Sequence, residues 1–234
     1  MLNVPSIPPR VCVIVLNYRG QDHLAYCLPS LLRSEYENWE LVCVDNASRD
    51  GSVEYVRRKF PQATLLVSPT NLGWSGGNNL GIRYALNNNA CYIALVNSDI
   101  LVHPRWLMEA VRVCESDPLI GMVGFRLFDT GRPEAKTHFE KAVQSWNRLE
   151  YHLTDNIRGC ALFVRAQVFH QIGLFDESYF AYAEENDLEF RARHTGYKLV
   201  ETNMPVWHYA GGTFQRIPLQ AGCPAMRGQI RFAI

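Results

Sequence analysis

The first hundred residues alternate between short apolar runs and longer amphipathic stretches. The apolar runs are rich in β-branched residues, which is typical of buried parallel strands, and they cover 11–16, 40–45, 63–67 and 90–96. The stretches between them predict helices over 23–34, 52–60 and 75–88. This alternation predicts an α/β fold with a doubly wound, mostly parallel sheet flanked by helices. Because right-handed crossovers keep such strands parallel, their carboxyl ends are expected at one edge of the sheet.

The second half of the chain has a more mixed pattern, which predicts a smaller mixed subregion. Helices are predicted over 104–116, 165–172 and 184–195, and strands over 120–128, 160–164, 198–200 and 206–209. Residues 129–155 are polar and without a period, so they are predicted to form a loop.

Length and composition narrow the class of protein. The chain has 234 residues and is 47% hydrophobic, which suits one large globular domain. Lys and Arg together number 23, as do Asp and Glu, so no general attraction to nucleic acid is expected. The N-terminus lacks the apolar core of a signal peptide, and no apolar run reaches the length of a membrane span. The last residues resemble the middle of a helix, so we expect residues 213–234 to begin a truncated C-terminal extension.

The cysteines favour a reducing compartment. There are seven of them, an odd number, and they form no CxxC motif. Cys12, Cys43 and Cys91 lie in apolar runs and are predicted to be buried thiols. We therefore expect a cytoplasmic protein without a disulfide framework.

Polar residues follow the predicted strands. The fourth apolar run ends in Asn97-Ser98-Asp99, which places a carboxylate at the edge where open α/β sheets bind ligands. A divalent cation that carries a diphosphate prefers such an oxygen ligand. The second strand ends in Asp45, and its carboxylate can accept a hydrogen bond from the N3–H of uracil or thymine. Each of these groups alone is also compatible with ordinary turn chemistry.

A glycine-rich segment, 71–79, precedes the third helix and allows a close approach of the backbone to a ligand. The start of that helix suits an anion. The segment is neither a GxGxxG motif nor a P-loop, because the spacing differs and the P-loop lysine is missing.

Acidic residues begin the last predicted helix. Asp187 is expected to pair with Arg191 four residues later. The aromatic approach to this helix, 175–182, is expected to raise the pKa of a neighbouring carboxylate toward the range of a general base. His208, on an apolar strand, is by itself more typical of a core histidine than of a metal ligand.

Taken in order, six motifs resemble those of glycosyltransferase family two, inverting enzymes with the GT-A fold, and in particular its bacterial rhamnosyltransferase-like branch. The motifs are NYRG (17–20), VDNASRDGS (44–52), NLGWSGGNN (71–79), VNSD (96–99), FDESYFAYAEENDLEFR (175–191) and VWHYAGG (206–212). The resemblance implies a single GT-A domain over 1–234, with a nucleotide-binding half over about 10–100 and a metal- and acceptor-binding half over 101–212. It implies a cell-envelope or other surface polysaccharide as the product.

The resemblance also implies roles for individual residues. It implies a divalent metal, Mn²⁺ or Mg²⁺, bound by Asp99 and His208, and a catalytic base at Glu185, with Glu184 as the alternative. The residues expected at the nucleotide are Asn17, Tyr18, Asp45, Asn71, Gly73, Asn79, Asn97 and Ser98. The residues expected at the acceptor are Arg158, Gly159 and Tyr182.

Two positions depart from the family pattern: Asn97 replaces the first acid of the DxD-type motif, and Glu185 replaces the usual aspartate base. The expected function is transfer of a sugar from a UDP- or dTDP-sugar, dTDP-rhamnose among them, to a hydroxyl of a glycan or lipid-linked glycan. The C-terminal extension is expected to make any peripheral contact with a membrane. Two other functions fit the sequence: a sugar-1-phosphate nucleotidyltransferase, which would release pyrophosphate, and a sugar-nucleotide-binding module without catalysis.

Overall fold

A computed structural model describes residues 7–129 and 134–209 of the protein. The strands of this part are β1 (Val11–Asn17), β2 (Trp39–Asp45), β3 (Thr64–Val67), β4 (Tyr92–Asn97), β5 (Ile100–Val102), β6 (Ile120–Asp129), β7 (Tyr151–Leu153), β8 (Ala161–Arg165) and β9 (Lys198–His208). The helices are α1 (Gln21–Leu31), α2 (Ser52–Lys59), α3 (Gly73–Asn87), α4 (Trp106–Ser116), α5 (Ala135–Ser145), α6 (Ala166–Ile172) and α7 (Glu184–His194).

The strands form a mixed nine-stranded sheet in the order β3-β2-β1-β4-β8-β6-β9-β5, with β7 also paired to β9. The first four strands are parallel, as predicted. Strand β8 runs antiparallel to both β4 and β6, and β6 runs parallel to β9. Strands β5 and β7 run antiparallel to β9.

These directions bring separate parts of the chain to one edge of the sheet. The carboxyl ends of β1, β2, β4, β6 and β9 lie there, together with the amino end of β8. Asn17 is in register with Asp45, and Leu16 with Asn97. His208 is in register with Asp129 on one side and with Ile100 on the other. The polar strand ends therefore share one edge, as the crossover rule predicts.

Alternating side chains of the sheet pack against helices on both faces. Val11, Val13 and Val15 belong to the core shared with α1 and α4. Cys12 and Ile14 belong to the core shared with α3, α6 and α7. Burial of both faces explains why these strands are apolar at every position.

Most predicted elements lie within three residues of the observed ones, but two predictions are wrong and one strand was not predicted. The predicted 129–155 loop contains α5 and β7. Both were missed because α5 buries just Ala135 and Phe139, and no residue of β7 is buried. The two short strands predicted over 198–209 are one strand, β9, whose polar middle pairs with β7. Strand β5 was not predicted, because three apolar residues after a turn give no period.

The thiols are largely as predicted. Among the described residues the cysteines are free, and Cys12 and Cys43 are buried. Cys91 is exposed, contrary to prediction, because it lies just before β4 and not within the buried strand. Cys223 and the expected extension over 213–234 lie outside the described residues, as do Gly211 and Gly212 of the last motif.

Candidate active site

A cleft of about 340 Å³ opens at the edge where the strand ends meet. Its volume falls in the range of small-molecule sites. The predicted site residues that line it are Tyr18, Asn71, Gly73, Asn97, Ser98, Asp99, Arg158, Gly159, Tyr182, Glu184, Glu185 and His208. The topology explains the convergence, since each of these residues lies at a strand end, at the start of a helix or in a loop next to that edge.

Asn17 and Asp45 lie beneath the cleft and do not line it. Asp45 is 1% exposed, and Asn17 Nδ2 donates to its Oδ2 at 3.0 Å. The backbone N–H of Ser48 donates to Asp45 Oδ1 at 2.9 Å. Each carboxylate oxygen keeps a lone pair beyond these bonds. The role of Asp45 at a base therefore stays a prediction.

Asn79 is directed away from the cleft. Its side-chain amide donates to the carbonyl of Phe175 at 2.9 Å and accepts from the N–H of Phe175 at 3.1 Å. It also donates to Glu177 Oε1 at 2.9 Å, and Arg83 donates to the same oxygen at 2.8 Å. These bonds anchor the segment that leads to α7 onto helix α3.

The backbone at Gly73 lies close to the same segment, the one that leads to α7. Gly73 has a φ of +73°, and a Cβ there would overlap the carbonyl oxygen of Phe180. The backbone N–H of Trp74 donates to that oxygen at 2.6 Å. One amide at the start of α3 is therefore occupied by the protein itself.

A pair of potential metal ligands lies at the centre of the cleft. Asp99 is 3% exposed, and its Oδ1 makes no hydrogen bond within the described part of the chain. This oxygen faces His208 Nε2 at 3.4 Å, while His208 Nδ1 lies 3.1 Å from Asp129 Oδ1. A carboxylate that orients a metal-binding histidine in this way is common at metal sites. The donor chemistry therefore fits a divalent cation.

Negative charge from Asp99 and Asp129 surrounds His208 and favours a positive charge here, either a proton on the imidazole or a metal ion that displaces this proton. Burial lowers the pKa of His208, but its contacts with Asp129 and Asp99 outweigh burial and raise that pKa to about 12. The same contact holds the pKa of Asp129 below its usual value. No group of three or more His, Cys, Asp or Glu side chains in the described ranges is arranged to hold a metal.

Two carboxylates at the start of α7 face the cleft. Tyr182 and Ala183, which precede them, both have left-handed backbone angles, φ 72° and 70°. Such strain in residues other than glycine is typical of functional sites. Glu184 is 5% exposed and Glu185 is half-buried, and each has an Oε2 without a hydrogen bond to the described residues.

Burial gives both carboxylates a raised proton affinity. It raises the pKa of Glu184 to about 8, and the charge of Glu185 acts in the same direction. Burial also raises the pKa of Glu185, although backbone N–H groups, that of Gly159 among them, and the charge of Arg158 oppose it. Asp187 instead pairs with Arg191 at 2.7 Å, as predicted.

Residues that were not predicted also line the cleft, and two of them, Trp74 and Asp129, bind predicted site residues. Trp74 donates from Nε1 to Asn97 Oδ1 at 3.1 Å and packs edge-on against Phe175. Nothing in its spacing distinguishes it from a core aromatic residue. Asp129 ends an apolar run just as Asp45 and Asp99 do, so the strand-end rule applied to β6 identifies it.

The fold defines the class of protein. It resembles the mannosyltransferase PcManGT from Pyrobaculum calidifontis, described in complex with GDP-Man and Mn²⁺, with a TM-score of 0.69 at 21% identity over 92% of this chain and 59% of that chain. It also resembles TarS 1-349 of S. aureus, with a TM-score of 0.67 at 16% identity over 88% and 62% of the two chains. The expected GT-A fold is therefore confirmed.

The family follows from the sequence match. The model of glycosyl transferase family 2 matches residues 11–172, and the chain belongs to that family.

Curated relatives cover much of the chain. They include an uncharacterized glycosyltransferase of Rickettsia felis, 26% identical over 73% of this chain and 29% of its own length. The low-salt glycan biosynthesis hexosyltransferase Agl10 of Haloferax volcanii is 26% identical over 77% of this chain and 61% of its own length. The chain thus spans less than two thirds of these relatives. None of the helices in 7–129 or 134–209 is both long and apolar enough to cross a membrane.

Proposed function

We propose that the protein transfers a sugar from a nucleotide-diphosphate sugar to an acceptor hydroxyl in a single inverting displacement. The observation that carries this proposal is the joint placement, in one cleft, of the Asp99–His208 pair and the carboxylates of Glu184 and Glu185. A transferase of this kind needs a site for the diphosphate and a base for the acceptor, and the cleft has candidates for both.

Glu185 is the proposed general base. It takes the proton of the acceptor hydroxyl while that oxygen bonds to the anomeric carbon and the bond to the diphosphate breaks. Glu185 is more accessible than Glu184, and it lies beside Arg158 and Gly159, the predicted acceptor residues. Its raised pKa supports this role, because a stronger base takes a hydroxyl proton more readily.

Asp99 and His208 are the proposed metal ligands, with Asp129 orienting the imidazole. A bound Mn²⁺ or Mg²⁺ supplies positive charge that stabilises the leaving diphosphate. Asn97, beside this pair, is fixed by its bond from Trp74 and adds an amide where the family motif has an acid.

The proposed donors are UDP- and dTDP-sugars, dTDP-rhamnose among them, because the Asp45 carboxylate is positioned by Asn17 and Ser48 and can accept a pyrimidine N3–H. The proposed acceptor is a glycan or lipid-linked glycan of a surface polysaccharide, reached from the cytoplasm. The relative Agl10, a low-salt glycan biosynthesis hexosyltransferase, supports that substrate class.

The test is a thermal-shift panel of uridine, thymidine, guanosine and adenosine diphosphates, each with Mn²⁺ and with a chelator. A ligand that binds the folded state raises the melting temperature by mass action. We expect the pyrimidine nucleotides to stabilise the protein only when Mn²⁺ is present. Equal stabilisation by adenosine diphosphate contradicts the role of Asp45, and stabilisation that persists in chelator contradicts the metal site. The Asp99→Ala variant is the matched control.

A further inference from the structure

A third buried carboxylate lies on α7, one turn after Glu185. Glu189 is 1% exposed, and no step of the proposed reaction uses it. The backbone N–H of Ile157 donates to its Oε1 at 2.8 Å, and Asn156 Nδ2 donates to its Oε2 at 3.2 Å. Burying a carboxylate is costly, so a side chain retained here is expected to do more than fill space.

Glu185 and Glu189 lie four residues apart and therefore share a face of the helix. Both contact the same short segment, 156–159, which precedes β8. Glu189 accepts a hydrogen bond near its beginning, and Glu185 lies against its end, where a Cβ on Gly159 would be 3.4 Å from Glu185 Oε1. Between these two anchors lies Arg158, which lines the cleft and lowers the pKa of Glu185 by its charge.

We propose that Glu189 is a positioning residue: by fixing Ile157, it holds the 156–159 segment so that Arg158 and Gly159 meet Glu185 correctly. This inference rests on the proposed function. Without Glu189, the N–H of buried Ile157 has no acceptor, and the segment is expected to move away from α7. A displacement of about 1 Å next to reacting groups costs up to about a hundredfold in rate.

The proposed role requires the side chain at position 189 to place an acceptor oxygen within hydrogen-bond distance of the N–H of Ile157, and it does not require a charge. Burial raises the pKa of Glu189 to about 8, against the hydrogen bond from Ile157, and the charge of Glu185 raises it further. Arg193 lowers it, but Arg193 is itself paired with Asp155 at 2.9 Å. An uncharged side chain is therefore tolerated at this position near neutral pH.

Three substitutions separate position from charge. Glu189→Gln keeps an oxygen for Ile157, and the amide of Asn156 can turn to present its own oxygen. Glu189→Asp keeps the charge but is one methylene too short, and Glu189→Ala removes the acceptor. We expect Gln to behave like the wild type, and Asp and Ala to be defective together.

The fluorescence of Trp74 can report the position of the 156–159 segment without any turnover, because Gly159 lies against its ring. A Cβ on Gly159 would be 3.4 Å from Trp74 Cζ2. Acrylamide quenching of Trp74, taken as the difference from the same variant in a Trp74→Phe background, is expected to rise in the Asp and Ala variants but not in Gln. Calorimetry with UDP and Mn²⁺ is expected to give the same Kd for the wild type and the three Glu189 variants, which would show that the donor-binding part of the cleft is intact. Unchanged quenching in both the Asp and Ala variants overturns the inference.

Turnover gives the second readout, with UDP-glucose as the probe and water as acceptor. The kcat of UDP release is expected to fall about tenfold or more in the Asp and Ala variants, with KM unchanged and with recovery in Gln. A defect in Gln equal to that in Ala would show that charge matters, and would overturn the inference. Absence of nucleoside diphosphate release by the wild type from UDP- and dTDP-sugars, with water and with glycan acceptors, refutes the proposed function, while the quenching result still decides the role of Glu189.

Discussion

Replacing Glu184 with glutamine is expected to make the protein more stable at neutral pH while leaving its stability in mild acid nearly unchanged. The side chain is buried, one of its oxygens has no hydrogen bond to the described residues, and its pKa rises from 4.5 to about 8 on burial beside Glu185. A group whose pKa is higher in the folded state binds its proton more tightly there. The free energy of unfolding therefore falls as the pH rises between these two values.

The magnitude follows from the width of that window. Each unit of pH inside it costs about 1.4 kcal/mol. Between about pH 5 and about pH 7, the wild type should therefore lose up to about 3 kcal/mol that Glu184→Gln retains. Below the unfolded pKa the difference vanishes, because both the folded and the unfolded chains carry the proton.

Urea unfolding at several pH values measures this difference directly. Subtracting the two curves removes the titration of groups that the variant shares with the wild type. Glu54→Gln, at an exposed position of α2, is the matched control and should show no such divergence. If the stability difference between Glu184→Gln and the wild type is constant with pH, Glu184 is not held in the buried, proton-retaining environment described above.

Three further predictions concern the cleft. Asp99→Ala should abolish most Mn²⁺-dependent binding of uridine diphosphate, and calorimetry that finds wild-type affinity would exclude Asp99 as a ligand. Asn79→Ala leaves both backbone groups of Phe175 without their partner and should cost about 2–4 kcal/mol of stability in urea unfolding. A cost well below 1 kcal/mol would show that the hydrogen bonds between Asn79 and Phe175 are unimportant for stability. Gly73→Ala introduces a Cβ against the carbonyl of Phe180 in a left-handed conformation, so the melting temperature should fall, and an unchanged value contradicts the close approach.

The parallel half of the fold was predictable because its strands are buried on both faces and its helices follow a clear period. The strand-end rule placed Asp99 at this edge of the sheet, and it also applies to Asp129. His208 was expected beside Asp99 only from the family resemblance. Elements with little apolar burial were not predictable: α5 buries just two residues, and β7 is held by pairing with β9.

Most residues that line the candidate site were predictable from the sequence, but the directions of their side chains were not. Asn79 belongs to a ligand-binding motif in the sequence, yet its amide binds the backbone of Phe175. In the sequence Glu189 resembles an exposed acid on a helix, but in the folded protein it is buried and accepts a hydrogen bond from the N–H of Ile157. Which way a side chain points depends on contacts between distant segments, and no local pattern records them.

The central claim is that Glu185 deprotonates an acceptor hydroxyl during inverting transfer from a nucleotide sugar. The most direct measurement is product analysis by NMR, with the protein, Mn²⁺, a nucleotide sugar selected by the thermal-shift panel and a set of glycan acceptors. We expect a nucleoside diphosphate and a glycosylated acceptor in equal amounts, with the anomeric configuration inverted relative to the donor. Glu185→Gln should bind the donor normally and slow transfer by roughly two to four orders of magnitude. Pyrophosphate as a product, a retained configuration or wild-type turnover by Glu185→Gln would contradict the account.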